Sequence, residues 1–317
     1  MSRFGLIGAA GYIAPLHMKA IRDTGNQLVA AFDPRDSVGV MDKYFPEAYF
    51  FTEFERFDRH IHKISRLNQE TALDFISICS PNYLHDSHVR FALRSNVDAV
   101  CEKPVVLNAW NIDALQSIEK DTGRKVFTVL QLRLHPAIKK LKKMVQDQEV
   151  HKKFDIDLTY ISARGKWYFS SWKGDEQKSG GVATNIGIHF FDMLNYVFGG
   201  VLLNTLHYRN ESKAAGYIEY EKARVRWFLS TDVQDIPSEL IIKSIRTFRS
   251  IKIDGEDIDF SEGFNDLHTR IYEDILSGGG FGLEDNRVAI ETVTSIRTQA
   301  PKGITGDFHP FLKKYAG

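Results

Sequence analysis

The chain has 317 residues, and its 41 lysines and arginines balance 41 aspartates and glutamates. With no basic run interleaved with aromatics there is no electrostatic footprint for nucleic acid, and Lys139-Lys140 with Lys142-Lys143 sits on a helical pattern as a solvated face. The length suggests about two domains, each with its own core.

No apolar run approaches a membrane span, and the amino terminus enters a strand by Phe4, leaving no room for a signal peptide. The expectation is a cytoplasmic protein with no membrane partner. The two cysteines, Cys79 and Cys101, fall in expected buried strands without metal-ligand spacing, so they read as reduced core residues and no metal is expected.

Phe4 to Ile7 is a short apolar strand, followed at once by Gly8-Ala9-Ala10-Gly11-Tyr12-Ile13 and a helix from Ala14 that tolerates Pro15 in its first turn. Strand, glycine turn and helix together form a dinucleotide-binding context. Gly8 permits the tight turn, Gly11 lets backbone approach a pyrophosphate, and the helix amino terminus supplies N–H donors. The next strand, Leu28 to Phe32, ends at Asp33, about 20 residues beyond the loop, where a carboxylate takes the ribose hydroxyls of NAD. Asp33 favours NAD over NADP; Arg35 is a neighbour able to receive a 2′-phosphate.

From Asp36 to Glu70 the pattern reads as helical and polar, with Phe54, Phe57, Ile61, Ile64 and Leu67 facing a core. Phe75 to Cys79 reads as a central strand. Its loop, Ser80-Pro81-Asn82-Tyr83-Leu84-His85, is placed to lie over the nicotinamide half of a dinucleotide, or alternatively to cap the helix that ends near Arg94.

Val97 to Cys101 is another strand, running into Glu102-Lys103-Pro104. That edge of an open α/β sheet is where ligands bind. Lys103, followed by a stiff proline, is placed to hold a substrate hydroxyl or carboxylate, against the plainer reading of a solvated charge. Asn108 reads as the cap of a helix from Ala109 to Thr122 that Gly123 ends. A strand at Val126 to Leu130 leads into Gln131 to Pro136, where the division into residues 1–130 and 131–317 is placed.

Beyond a helix to Gln146 the pattern changes. Phe154 to Ile161 alternates apolar and polar, and strands of that kind follow at Leu202–Tyr208, Ala215–Tyr220, Val225–Leu229, Glu239–Ile242 and Ser250–Ile253. They suggest one large, mostly antiparallel open sheet with a solvated or oligomer-forming face.

Between the first two lies Arg164-Gly165-Lys166-Trp167-Tyr168-Phe169, then Trp172-Lys173, then Gly180-Gly181. Asn185, His189 and Asp192 share one face of a following helix, the pattern of a general base with orienting partners or of a core histidine. Two last helices flank Gly278-Gly279-Gly280, and His268 and Tyr272 lie four apart on the first. Either is placed to reach substrate or to pack.

In this order the glycine loop, Ser80-Pro81-Asn82 with His85, Glu102-Lys103-Pro104, Arg133 to Pro136, Trp172-Lys173, Gly180-Gly181 and the Asn185 to Asp192 helix resemble the Gfo/Idh/MocA oxidoreductases over essentially the whole chain. Gly8 to His17, Cys79 to His88, Gln131 to Pro136, Ser171 to Asp175 and Gly180 to Leu194 are similar to the branch that oxidises C3 of UDP-N-acetylglucosaminuronic acid in diacetamido uronic acid and O-antigen biosynthesis. Two positions depart from the family: Asn185 stands where many members have aspartate, and the loop is Gly-Ala-Ala-Gly, which displaces the second glycine to Gly11.

The resemblance implies an α/β protein with a Rossmann NAD-binding domain followed by a substrate-binding and oligomerisation domain. It implies a dimer or tetramer assembled through the second sheet. Lys103, His189 and Asn185 are the catalytic expectation. Gly8, Gly11, Tyr12, Ile13, Asp33, Ser80, Asn82, Leu84, His85, Glu102, Lys103, Gln131, Trp172 and Lys173 are expected around NAD, with 2-oxoglutarate as a candidate recycling partner. Arg164, Lys166 and Tyr272, with Lys103, Asn185 and His189, are expected against the substrate. The alternatives are a dehydrogenase of a free polyol or sugar, and a dinucleotide-sensing regulator without catalysis.

Overall fold

A computed structural model describes residues 1–67, 71–147, 153–258 and 266–315. In chain order the elements are β1 (Arg3–Ile7), α1 (Ala14–Asp23), β2 (Gln27–Phe32), α2 (Met41–Tyr44), β3 (Tyr49–Phe51), α3 (Phe54–Leu67), β4 (Phe75–Ile78), α4 (His85–Arg94), β5 (Asp98–Cys101), α5 (Trp110–Thr122) and β6 (Val126–Thr128). Then come α6 (Pro136–Asp147), β7 (Phe154–Ser162), α7 (Glu176–Ser179), α8 (Ile188–Phe198), β8 (Val201–Arg209), β9 (Lys213–Tyr220) and β10 (Ala223–Ser230). The last elements are α9 (Ser238–Ile242), β11 (Thr247–Ile253), β12 (Glu256–Asp257), α10 (Leu267–Leu276) and α11 (Leu283–Thr298). Among the described residues no helix is long and apolar enough to cross a membrane.

The chain divides into two compact units, Met1–Leu134 with Asn265–Arg287, and His135–Phe264 with Val288–Gly317. The first is therefore discontinuous: the chain returns to it for α10.

In the first unit six parallel strands run in the order β3-β2-β1-β4-β5-β6. This is the doubly wound dinucleotide-binding arrangement. The central strands are apolar along their length because helices cover both faces, and Leu6, Ile7, Ile76, Ile78, Ala99 and Val100 are fully buried. The strand order reverses between β1 and β4, so the loops after β1, β4 and β5 gather at one edge, where ligands bind in such sheets.

In the second unit the order is β12-β11-β7-β10-β9-β8. Only the β7–β10 pair is parallel and the others are antiparallel, which makes the sheet mixed and mostly antiparallel. Trp227 on β10 is fully buried, while Tyr217 on β9 is half-buried. Gly216 lies beneath the Trp227 ring, where an added Cβ would stand 2.7 Å from it.

Three sequence expectations need correction. The stretch from Asp36 is not one helical run: β3 interrupts it, and α3 begins at Phe54. Of its expected core positions Phe57 and Ile61 are buried, whereas Leu67 is exposed; residues 68–70 lie outside the described residues. Residues 239–242 are not a strand but part of α9, which starts after Pro237, with Ile242 85 % exposed. Asn108 does not cap the helix: Ala109 occupies that place, and no side chain caps it. Gly123 does end α5, at φ +69.

Candidate active site

The glycine loop is built backbone on backbone. Gly8 has φ +90, and a Cβ there would lie 2.6 Å from the Cys79 carbonyl carbon and the Ser80 nitrogen. Only glycine fits. The Gly8 N–H donates to Phe32 O at 2.8 Å, and the Gly11 N–H returns to Gly8 O at 3.0 Å, closing the turn.

Asp33 fastens this turn from below. Its Oδ2 accepts the Ala10 N–H at 3.0 Å and its Oδ1 the Arg35 N–H at 2.9 Å. A carboxylate has about four acceptor positions, so two remain for ribose hydroxyls. α1 begins at Ala14, after Ile13, with no side-chain cap. Its first donors are met by backbone, Ala14 N–H by Gly11 O at 3.2 Å and Leu16 N–H by Ile13 O at 3.0 Å, and Pro15 has none. Tyr12 is 94 % exposed just before the helix.

The loops after β4 and β5 are tied to each other through His85. Its Nδ1 lies 2.7 Å from Pro104 O and its Nε2 2.8 Å from Ser80 O. Burial holds its pKa below the usual histidine value, so it is neutral and donates to one of the two carbonyls. Ser80 Oγ meets His88 Nδ1 at 2.9 Å. Asn82 is buried and Leu84 half-buried in the single turn Asn82–Leu84 that precedes α4. Lys103 is half-buried at the end of the next strand, just beyond Glu102.

Glu102 and Tyr272 are turned into the unit. Glu102 is 6 % exposed, its Oε1 3.0 Å from both His17 Nε2 and His268 Nε2, and its Oε2 accepts the Lys103 N–H at 3.2 Å. Burial alone would raise its pKa, but the two histidine hydrogen bonds outweigh it and hold the carboxyl well below the usual range. His17 is pushed the other way by burial, so it stays neutral.

Tyr272, expected against substrate, is 1 % exposed, and its hydroxyl meets His17 Nδ1 at 2.8 Å and Ser77 Oγ at 2.6 Å. Among the described residues His17, Glu102 and His268 are the one group of three whose ligand atoms gather as a metal site would require. As arranged here, an ionised carboxylate only accepts, so each histidine presents an N–H to it.

Gln131 sits in a single turn after β6, and its Oε1 is buried with no hydrogen-bond partner. An orphaned acceptor and a glycine loop with no room for a Cβ both fit a dinucleotide with amide and phosphate groups.

In the second unit the aromatic loop is anchored by Tyr168, which is buried while Trp167 and Phe169 are exposed. Its hydroxyl accepts the Asn185 Nδ2–H at 2.7 Å. Burial raises the Tyr168 pKa against the opposing effects of Asn185 and Arg164. Arg164 and Lys166 are exposed. Lys173 lies 4.6 Å from the Trp172 ring centroid, and burial, then the Arg164 charge, lowers its pKa.

Asn185 and His189 straddle a junction. Residues 183–187 form a π-helical turn, and α8 starts at Ile188. The i→i+5 bonding of such a turn loosens the four-residue face-sharing of an α-helix, and such turns mark functional sites. Asn185 and His189 are half-buried, Asp192 fully buried. A cavity of about 260 Å³ opens nearby, lined by Tyr168, Lys173, Gly180, Gly181, Arg209 and Arg297 among others.

Two family models match the chain. Residues 2–130 match "Oxidoreductase family, NAD-binding Rossmann fold", and residues 142–239 match "Oxidoreductase family, C-terminal alpha/beta domain". Among solved structures, the WlbA (WbpB) dehydrogenase from Thermus thermophilus in complex with NAD and alpha-ketoglutarate is 48 % identical. The match covers 98 % of this chain and 100 % of that one, at TM-score 0.94. The same dehydrogenase with NAD and UDP-GlcNAcA superposes at TM-score 0.93.

Among curated proteins, inositol 2-dehydrogenase of Rhizobium meliloti is 26 % identical over 62 % of this chain and 55 % of its own length. Glucose-6-phosphate 3-dehydrogenase of Bacillus subtilis is 27 % identical over 62 % and 54 %. The chain thus spans about half the length of these curated relatives. With both halves matched in order by the family's two models, the chain belongs to the Gfo/Idh/MocA oxidoreductase family.

Proposed function

We propose that this chain is an NAD-dependent dehydrogenase that oxidises the C3 hydroxyl of UDP-N-acetylglucosaminuronic acid to the 3-keto sugar. The observation that carries the reading is the 48 % identity, over 98 % of this chain, to a dehydrogenase solved with NAD and UDP-GlcNAcA. The free-polyol reading is supported by relatives at 26 % identity over part of the chain, and is the weaker for it.

NAD supplies the hydride acceptor when bound. Gly8, Gly11 and the turn leading into α1 would hold its pyrophosphate, Asp33 its adenosine ribose, and Gln131 Oε1 would accept from a donor group of the cofactor. The loop from Ser80 to His85 and the pair Trp172-Lys173 flank its nicotinamide side.

Oxidation removes a hydride from C3 and a proton from the C3 hydroxyl. His189 takes that proton at a ring nitrogen, a general-base role worth about 10²–10⁴-fold. Lys103 donates from Nζ to the same oxygen and stabilises the negative charge that develops there. Asn185, fixed by its bond to Tyr168, orients the base. The exposed cations Arg164 and Lys166 meet the carboxylate or diphosphate of the substrate. We place 2-oxoglutarate as the acceptor that returns NADH to NAD, and a dimer or tetramer formed through the second sheet as the working assembly.

The test is NADH formation from UDP-N-acetylglucosaminuronic acid, with and without 2-oxoglutarate, and analysis of the sugar product. The expected result is the 3-keto sugar, with NADH accumulating or with 2-hydroxyglutarate in its place. Folded, NAD-loaded protein that yields neither, yet turns over inositol, would move the assignment to free polyols.

A further inference from the structure

We propose that Glu102 is a positioning residue for Lys103, clamped by His17 and His268. The inference rests on the reading above, in which Lys103 meets the substrate oxygen.

Lys103 lies two residues beyond the end of β5, past the last ladder bond of that strand. The ladder ends one residue earlier, where the Glu102 N–H donates to Ile78 O at 3.0 Å. The next tie is the Glu102 side chain itself, which folds back so that Oε2 accepts the Lys103 N–H at 3.2 Å. The orientation of that peptide therefore depends in part on where the carboxylate is held, with the His85 bond to Pro104 O fixing the chain one residue further on.

Two helices from distant parts of the chain hold it. His17 comes from α1 and His268 from α10, and both direct Nε2–H at Oε1 at 3.0 Å. A carboxylate only accepts, so both histidines carry their proton on Nε2. His17 Nδ1 then accepts the Tyr272 hydroxyl at 2.8 Å, and Tyr272 meets Ser77 on β4 at 2.6 Å. The chain of bonds runs from the sheet through Tyr272 and His17 to the carboxylate, with His268 closing it from the other side.

For stability this is an expensive device. An ionised carboxylate loses much of its hydration on burial, and an apolar side chain of like volume is often as stable or more so. What the carboxylate provides that an apolar residue cannot is a fixed acceptor for the Lys103 amide, joined to the helix that carries the glycine loop.

The test uses the full-length protein with NAD and UDP-N-acetylglucosaminuronic acid. Glu102→Gln is expected to lower kcat about tenfold or more, the size of a lost charge-assisted hydrogen bond, with the KM for NAD within about twofold. Gln at 268 presents an amide N–H near the place of Nε2, so His268→Gln is expected to keep most turnover, whereas His268→Leu is expected to match Glu102→Gln. Should Glu102→Gln fail to fold, the His268 pair decides.

Equal loss in His268→Gln and His268→Leu, or a fall in kcat that merely tracks a lower melting temperature, would overturn the inference as a purely structural effect. So would a stoichiometric metal ion in the purified protein, since Glu102 would then be a ligand. Lys103→Ala separates the two levels. If it is inactive while Glu102→Gln turns over normally, the clamp is wrong and the function stands. If it turns over normally, the functional reading of Lys103 is wrong as well.

Discussion

The Asp33 carboxylate accepts the backbone N–H of Ala10 at 3.0 Å, so the acid at the tip of β2 is also a fastener of the glycine loop. Its second oxygen accepts from Arg35 N at 2.9 Å. One side chain thus shapes the phosphate turn and presents a negative charge beside it.

That double role makes Asp33 costly to replace. Asp33→Ala is expected to weaken NAD binding about tenfold or more, because hydrogen bonds to a charged group are each worth roughly 1.5–3 kcal/mol. Asp33→Ser should also narrow the preference for NAD over NADP, since a 2′-phosphate no longer meets a carboxylate. Calorimetric titration with both cofactors reads this directly. Unchanged NAD affinity in Asp33→Ala would remove the residue from the cofactor site.

His189 lies one residue into α8, next to a π-helical turn that an α-helical register does not foretell. His189→Ala is expected to lower kcat by about 10²–10⁴-fold while NAD still binds. Stopped-flow measurement of NADH formation, beside a binding titration, separates the two effects. A variant that keeps wild-type turnover would exclude His189 as the base.

Acid stability provides a prediction with a definite sign. Burial, then repulsion from the neighbouring His85 ring when that ring is protonated, lowers the His88 pKa from 6.5 to about 4. Burial, then the charge of Arg226, lowers that of His309 to about 3. Both groups stay neutral when folded and bind a proton below pH 6.5 when unfolded, so stability falls as pH falls through this range.

At about 1.4 kcal/mol per pKa unit the loss between pH 6.5 and pH 5 is roughly 2 kcal/mol for each group, still above the titration of unfolded carboxylates. His17 and His85, also lowered by burial, act in the same direction. Urea midpoints at pH 7.5, 6 and 5 should decline steadily, and His88→Asn should flatten the decline. A midpoint independent of pH across this window would mean that these histidines reach water.

Much of the first unit was legible because its signals are local. The strand, glycine turn, helix and acid of residues 4–33 lie within one short stretch, and Gly123 ends a helix wherever it is met. β3 escaped because Tyr49-Phe50-Phe51 is three residues long within a polar run. Leu240-Ile241-Ile242 read as a strand because three apolar residues in a row fit either element; the structure lets Pro237 and Ser238 start a helix there.

The clamp on Glu102 had no signal at all. His17 and His268 lie 85 and 166 residues from it, and only the fold brings them together. His268 and Tyr272 were visible as a helical pair, yet their direction, into the core, depends on α10 packing back onto the first unit.

The carboxyl-terminal turn Pro310–Tyr315 is pinned to the second sheet by one buried acid. Asp235 Oδ2 accepts from Ser230 at 2.6 Å and pairs with Lys213 at 3.0 Å, while Oδ1 takes Lys314 at 2.6 Å and the Tyr315 hydroxyl. Burial would raise its pKa, but these four bonds together lower it to about 2. Its contribution is therefore complete above pH 3.8 and is lost as pH falls toward 2.

Asp235→Asn leaves Lys213 with Asp232 at 3.1 Å as its remaining counter-charge, so the expected cost falls below the roughly 3–5 kcal/mol of a buried pair left uncompensated. The variant should melt lower at pH 7 and release its last residues to carboxypeptidase, whereas adding Lys213→Met should restore part of the loss. A melting temperature equal to wild type, with a protected carboxyl terminus, would show that the aromatic contacts of Phe311 with Phe228 and Phe248 hold the turn without the acid.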